Sequence, residues 1–332
     1  MSAGDLVPLG RTGLTVSRLG LGLASIGGLF APVPAEQAAA TVDRAWRLGV
    51  RLYDTAPVYG YGRSEAYTGA ALAPRPRDRF VLCTKVGRLI EPNGPDTQEI
   101  WADPPPGLGP RLDYSYAAVL RSLAESLDRL GLDRVDVLHI HDPDENYPAA
   151  LADAYRALAE LRRAGTVGAV SLGVNHADVA ARFLREAPEP GPDCVLLAGR
   201  YTLLDQSGLD ELLPLCARRG VAVMAAGVFQ SGLLADPTPG APHGYRNVPP
   251  LLRARVAAIR GICARYGVPP LAAALRFPLA HPAVATVVVG ARTPEEVEQN
   301  AAFLAHPVPE GLWQDLRAAR LLPREAPVPR RD

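Results

Sequence analysis

Short runs rich in β-branched and apolar residues begin near Val16, Val50, Phe80, Val135, Val167, Cys194, Val221 and Val284, and a helix-period pattern separates nearly every consecutive pair. Strands that alternate with helices need crossover connections, and crossovers make neighbouring strands parallel. A parallel sheet must be covered by helices, and eight such strands close most economically into a (β/α)8 TIM barrel. An open doubly wound sheet is the second arrangement the pattern allows. Gly49, Gly131, Gly165 and Gly220 each stand where a left-handed residue closes a helix ahead of the next β-rich run. Ala38, Val42, Ala45 and Trp46 share a face of one helical stretch, and Leu120, Leu123, Leu127 and Leu130 share a face of another. Both faces are expected to turn inward.

Three segments fall outside this repeat. The residues up to Gly13, with an Arg11-Thr-Gly turn ahead of Val16, read as a small β-hairpin over the barrel's opposite, amino-terminal face. Residues 88–113 and 235–250 are rich in proline and glycine and lack a sustained apolar period. Both read as long loops on the face where barrel active sites lie. No shift of composition divides the chain, so residues 1–332 are expected to form one barrel domain.

The charge balance excludes several classes of partner. With 35 basic and 35 acidic residues, no global field exists to hold a nucleic acid or an anionic membrane surface. The most apolar stretch, residues 221–235, is interrupted by Gly227, Gln230 and Gly232 and falls short of the roughly 20 residues of a membrane span. Residues 1–11 carry no secretion signal. Cys83, Cys194, Cys216 and Cys263 are too scattered for a structural zinc site or a disulfide framework. A cytoplasmic enzyme with buried, reduced thiols is expected.

Placing the strands places the polar residues. Asp54, Lys85, His141 and Asn175 fall at carboxyl-terminal strand ends, and Tyr59 follows Asp54 in the next loop. Catalytic groups gather at that end of such barrels. Singly, each has an ordinary alternative: Asp54 as a cap, Tyr59 as a loop aromatic, and His139 and His141 as core groups on one strand face. His139 is read as a core group. Lys85 points inward with Cys83, and a buried lysine is rare unless paired.

Together the four make a chemistry. A tyrosine exchanges a proton with a carbonyl or hydroxyl oxygen if its pKa of about 10 is brought toward the working pH. Lys85 would favour the phenolate, Asp54 would neutralise and orient the lysine, and His141 would hold the reacting oxygen. A rival of another class is a metal-dependent hydrolase, because His139-Ile-His141-Asp142 offers a pair able to ligate zinc. His176, His243, His281 and His306 fall mostly in loops or helices and complete no ligand set, so no metal is expected.

The chain resembles the aldo-keto reductase family over essentially its whole length. The resemblance rests on Gly10-Arg-Thr-Gly-Leu, Tyr53-Asp-Thr-Ala-Pro-Val-Tyr-Gly, Thr84-Lys85, His141-Asp-Pro and Val289-Gly-Ala-Arg-Thr-Pro-Glu-Glu-Val-Glu-Gln-Asn300. It implies a nicotinamide-dependent hydride transfer with the family's tetrad on Asp54, Tyr59, Lys85 and His141. It also implies that Asn175 holds the carboxamide, that Gly22 packs close beside the cofactor, and that Gly290, Ala291, Arg292, Glu296 and Asn300 hold the adenosine end. Gly20-Leu-Gly22 lacks the third glycine of a Rossmann fingerprint. The chain departs from the family at Val174, where a serine is common, at Ala198 in place of a glutamine, and near Ala226, where a stacking tyrosine is often found. Val228 or Phe229 is left as packing surface for the nicotinamide.

Glu296 stands where NADP-preferring members commonly carry arginine. A carboxylate accepts from a ribose hydroxyl and repels a 2′-phosphate, while Arg292 partly restores phosphate binding. NAD is favoured and NADP tolerated. Tyr61-Gly-Arg-Ser-Glu65, His141-Asp-Pro-Asp-Glu145, Leu196-Leu-Ala-Gly-Arg-Tyr-Thr-Leu-Leu204 and Phe229-Gln-Ser-Gly-Leu233 are most similar to the branch of aldose 1-dehydrogenases acting on L-fucose, D-threo-aldoses or L-galactose. That branch implies oxidation of a small sugar at C1, with Asp142, Asp144, Arg200 and Gln230 as partners for its hydroxyls. A general NADPH-dependent aldehyde or ketone reductase, a pyridoxal dehydrogenase, and a nucleotide-binding partner subunit on the same fold remain alternatives.

Overall fold

The alternation resolves into a closed barrel of eight parallel strands, seen in a computed structural model that describes residues 1–230, 232–234 and 248–329. The barrel strands are β3 (Leu19–Gly22), β4 (Leu52–Asp54), β5 (Val81–Val86), β8 (Val137–His141), β9 (Ala169–Val174), β10 (Cys194–Ala198), β11 (Ala222–Ala226) and β12 (Val284–Gly290). They neighbour one another in that order, and β12 pairs back onto β3. Four more strands make two hairpins outside the barrel: β1 (Leu6–Pro8) with β2 (Thr15–Ser17), and β6 (Arg88–Pro92) with β7 (Leu108–Leu112).

The first hairpin closes the amino-terminal mouth, as its turn residues imply. Leu9 and Val16 pack there against Leu52, Val81, Val137, Ala169, Cys194 and Ala222, which stand at or near strand starts. The run at Val16 belongs to this hairpin, pairing with Val7, so it is not the first barrel strand. That strand is the plainer Leu19-Gly-Leu-Gly22. Its two glycines hide its β character, which comes from being flanked by β12 and β4 rather than from its own residues.

A second correction concerns residues 88–113, which contain a five-pair antiparallel ladder from Arg88↔Leu112 to Pro92↔Leu108. Its strands are only partly buried and carry Pro92 and Pro110, so neither an alternating pattern nor a continuous apolar run marks them. Of the second long segment, residues 235–247, with His243, lie outside the described residues. Helix Pro250–Arg265 follows directly after it.

The closing glycines behave as read, with positive φ at Gly49, Gly131, Gly165 and Gly220. On helix Ala35–Arg47 the buried residues are Ala38, Thr41, Val42 and Ala45, with Trp46 packed at their margin. On helix Tyr116–Leu130 the inward face is Ala118, Val119, Ser122, Leu123, Ser126 and Leu130. Leu120, expected inside, is 38% exposed. The leucine spacing pointed to a stripe about one position away from the one the small residues Ala118 and Ser122 allow to approach the barrel. All four cysteines are buried and free, and no described helix is long and apolar enough to cross a membrane.

Helix Arg63–Leu72 crosses helix Tyr116–Leu130 at Gly69, where an added Cβ would lie 1.7 Å from the carbonyl oxygen of Leu130. Gly69→Ala therefore forces backbone apart and is expected to cost about 3 kcal/mol, the upper part of the usual overpacking range. Urea unfolding should report it as a lowered midpoint with an unchanged slope.

Candidate active site

The carboxyl ends of β4, β5 and β8 converge on one buried charge pair. Strand alternation points Cys83 and Lys85 of β5 and His139 of β8 into the barrel, and Lys85 and His139 are direct register partners. Asp54 ends β4 beside Cys83. The Lys85 Nζ donates to Asp54 Oδ1 at 2.6 Å, to Asp54 Oδ2 at 2.7 Å and to the carbonyl of Thr55 at 2.9 Å. Lys85 is 1% exposed and Asp54 3%. All three ammonium donors are thus satisfied where water does not reach.

Burial alone would raise the Asp54 carboxyl, but the Lys85 ammonium and the His139 imidazole outweigh it and hold the acid below its usual range. Burial likewise opposes the Lys85 charge, and Asp54 and Tyr59 outweigh it, so the lysine is more basic than in water. The pair is ionic and neutral in sum.

Tyr59 lies over this pair. Its ring centroid is 5.0 Å from Lys85 Nζ, and it stands edge-on to the His141 ring at 6.0 Å. The loop carrying it is fixed from below: Thr55 and Ser64 hydroxyls meet at 2.7 Å, and Ser64 donates to the Leu23 carbonyl at 2.8 Å. Gly60, at φ 64°, sits so close to the Gly27 carbonyl that a Cβ would come within 2.0 Å of it. The tyrosine loop and the loop after β3 are in backbone contact there.

The phenol is pushed up to about 12, by burial first, although Lys85 draws it down. Lys85 thus acts in the expected direction but does not by itself bring the phenol to neutral pH. Burial, helped by Lys85 and Arg88, drives the His141 imidazole well below its ordinary value. His141 is therefore neutral, able to donate or accept.

Next to His141, Asp142 adopts a left-handed backbone, φ 42°. Its carboxylate accepts from Arg88 Nη2 at 3.0 Å and from Asn175 Nδ2 at 2.9 Å. Tyr114 donates to the carbonyls of His141 and Asp142 at 2.6 and 2.7 Å. Arg200 donates Nε to the Asn175 carbonyl at 2.8 Å and pairs with Asp205 at 3.0 Å. Gln230 donates to the Gly199 carbonyl at 2.8 Å and to Thr202 at 3.1 Å. Of the four residues expected to meet a substrate, Asp142, Arg200 and Gln230 are thus engaged within the protein, while Asp144 is exposed, 3.8 Å from His176.

A cleft of about 400 Å³ lies between the ends of β3, β11 and β12, lined among others by Ser25, Val228, Phe229, Gly290, Arg292 and Asn300. A Cβ on Gly290 would come 2.6 Å from Ser25 Oγ, so the absent side chain keeps that end open. Gly22 is the register partner of both Gly290 and Asp54, which joins the cleft to the charge pair. Ala291 is buried just behind. Glu296 also lines the cleft, but its Oε2 accepts the Arg292 backbone N–H at 2.7 Å, and its own N–H is capped by Thr293 at 3.3 Å. The Arg292 guanidinium donates to the Leu29 carbonyl at 2.9 Å. The slot is mostly apolar, with Arg292, Glu296, Gln299 and Asn300 among its polar lining.

Among the described residues, Asp54, Cys83 and His139 bring one potential metal-ligand atom each within 4.8 Å of one another. The carboxylate already grips an ammonium, and burial holds the Cys83 thiol well above its ordinary pKa. A divalent cation there would face Lys85 and a protonated thiol, so the donor set does not suit it. The pair His139 and His141 does not converge: one ring faces Asp54 at 3.2 Å, the other Tyr59.

Two residues escaped the sequence reading. Trp101 packs its ring 5.5 Å from Tyr59 and is held by Gln98 and by a bridge to Leu29; Arg88 anchors Asp142. Both lie in the segment read as a structureless loop. A simpler signal for the site was also present: Lys85 is the only lysine among the 35 basic residues.

A parallel barrel with this charge pair, tyrosine and histidine at its carboxyl end is the architecture of a nicotinamide-dependent oxidoreductase. The chain belongs to the aldo/keto reductase family, whose sequence model matches residues 18–320. It is 42% identical to D-threo-aldose 1-dehydrogenase from a Pseudomonas species, over 94% of this chain and 96% of that one. It is 41% identical to pyridoxal 4-dehydrogenase from Microbacterium luteolum, over 97% and 99%. Among solved structures it resembles the holo form of an aldo-keto reductase from Bacillus halodurans, with TM-score 0.75, 26% identity and 98% of both chains covered.

Removing the ammonium strands a buried carboxylate. Lys85→Met is expected to destabilise the fold by about 3–5 kcal/mol at pH 7, read by urea unfolding, whereas the double change Asp54→Leu with Lys85→Met recovers much of the loss. Equal stability of wild type and Lys85→Met would show that the pair is not held ionic.

Proposed function

We propose that the protein oxidises an aldose at C1 to the lactone, with Asp54, Tyr59, Lys85 and His141 as the reacting group and its supports. The observation that carries this reading is a shared chemistry. The two relatives at 42% and 41% identity are named for a D-threo-aldose and for pyridoxal, and both compounds close into cyclic hemiacetals. Oxidising the hemiacetal C–OH of either gives a lactone.

The residues support the balance of that step. The Tyr59 phenolate accepts the anomeric hydroxyl proton, His141 hydrogen-bonds the same oxygen, and C1 loses a hydride as its carbonyl forms. Bound NAD supplies the hydride acceptor and a positive ring whose field, added to that of Lys85, favours the phenolate. Asp54 keeps Lys85 beneath Tyr59, and Asn175 and Gly22 border the place of the nicotinamide. Gly290, Ala291, Arg292, Glu296 and Asn300 hold the adenosine end, with Phe229 and Val228 as apolar walls. Trp101 faces the sugar across Tyr59. Asp144 is the exposed hydroxyl partner, near His176; Asp142, Arg200 and Gln230 would exchange protein contacts for sugar ones. A site built that way rejects a sugar whose hydroxyl is missing or inverted, because its own polar groups are then left unpaired.

Pyridoxal is the second reading, on the strength of the 41% relative. L-Fucose, L-galactose, D-arabinose and pyridoxal incubated with each oxidised cofactor separate the two, with lactone or derived acid as the product sought. One sugar series oxidised with clear discrimination between epimers is expected. The sugar reading fails if none is oxidised while simple aldehydes are reduced efficiently with NADPH. Tyr59→Phe should lose most turnover and still bind cofactor.

The cofactor end leans to NAD. Glu296 has one carboxylate oxygen left for a ribose hydroxyl and would repel a 2′-phosphate, whereas Arg292 is partly committed to Leu29. A higher kcat/KM with NAD than with NADP is expected. A strong preference for NADP would confine Glu296 to its helix-capping part.

A further inference from the structure

His139 lies directly under the charge pair and has no part in the scheme above. It is fully buried. Its Nε2 stands 3.2 Å from Asp54 Oδ1, the same oxygen that takes the Lys85 ammonium at 2.6 Å. No aligned hydrogen bond satisfies either ring nitrogen, so the imidazole is a polar group placed in the core, with the Asp54 carboxylate and the Leu172 carbonyl as the acceptors near it. An apolar side chain would fill that space without the desolvation cost of an imidazole. Burial keeps the ring neutral, which leaves one N–H, and the ionised Asp54 carboxylate, a stronger acceptor than the Leu172 carbonyl, draws it to Nε2.

We propose that His139 is a positioning residue for the catalytic pair. Its Nε2–H faces Asp54 Oδ1 from inside the barrel, shares the carboxylate with Lys85, and so sets how much positive charge reaches Tyr59. The groups that face it are Asp54 from β4, Lys85 and Cys83 from β5, His141 from its own strand, and the uncharged Ser171, its register partner on β9. Asp54 is the one anion among them. With the imidazole donor present, part of the carboxylate's charge is taken up away from Lys85. Without it, Asp54 compensates the ammonium more completely and the Tyr59 phenolate loses support.

The proposal rests on Tyr59 being the acid/base group, and the test separates the two claims. His139→Leu removes the donor, and His139→Gln returns an N–H at similar reach. The first readout is the pH at which oxidation reaches half its maximum. It should rise by about one unit in His139→Leu and return in His139→Gln. The second readout needs no turnover: with labelled lysine, the single Lys85 yields one side-chain NMR signal. That signal should shift in His139→Leu and return in His139→Gln, at unchanged melting temperature and cofactor affinity in the glutamine variant. An unmoved Lys85 signal in His139→Leu, or a glutamine variant that matches leucine in both readouts, overturns the proposal. If Tyr59→Phe keeps the same pH limb while the Lys85 signal still answers to residue 139, the tyrosine reading falls and His139 stands as the residue that positions the pair.

Discussion

The contact between Lys85 and Asp54 governs the rest of the site. Two opposite charges taken out of water are costly apart and tolerable together only when every donor and lone pair is used. Here the ammonium spends its three protons on two carboxylate oxygens and a backbone carbonyl. Such a contact cannot be assembled on a flexible loop. It needs two strand ends held in register, and the barrel provides them by placing Asp54 and Lys85 on adjacent parallel strands. The field of this neutral pair is short-ranged and directional, so what it does to Tyr59 depends on where the tyrosine loop is pinned. The close approach of Gly27 and Gly60 performs that pinning.

The two hairpins close opposite ends of the same cylinder by different means. The one formed by β1 and β2 is apolar on its inner side and seals the amino-terminal mouth. The one formed by β6 and β7 stands at the carboxyl-terminal mouth and carries charge on its outer side, with Glu91 held between Arg111 and Arg121. Its loop packs Trp101 against Tyr59 and ties back to Leu29. Arg88 opens that hairpin and also holds Asp142, the neighbour of His141. Arg88 thus ties the hairpin to Asp142 and Glu145, just beyond the histidine strand, through two ion pairs.

Most of the fold was legible because alternation is a long-range pattern that local exceptions do not erase. What failed were places where neighbours, not intrinsic preference, decide. Leu19-Gly-Leu-Gly22 is a strand by virtue of β12 and β4, and β6 and β7 are strands by virtue of each other. Leu120 misled because leucine spacing outweighed the small residues that mark where helix and barrel touch. The site was legible where a residue type is costly without a partner, as with Lys85 and Asp54. It was not legible where the partner is contributed by a distant loop: no local signal joins Asn175 to Asp142, Gln230 to Gly199, or Trp101 to Tyr59. His139 looked like a core residue from the sequence because burial, which is correct, says nothing of which carboxylate lies 3.2 Å away.

The scarcity of lysine carries one more consequence. Reducing sugars in their open-chain form condense with unprotonated ε-amino groups, a slow damage to any protein that lives among them. This chain carries its surface positive charge on arginine, and its one ε-amino group is buried, held as the ammonium and closed off by a tyrosine ring. Reducing sugars in its surroundings meet no lysine on its outside with which to form a Schiff base.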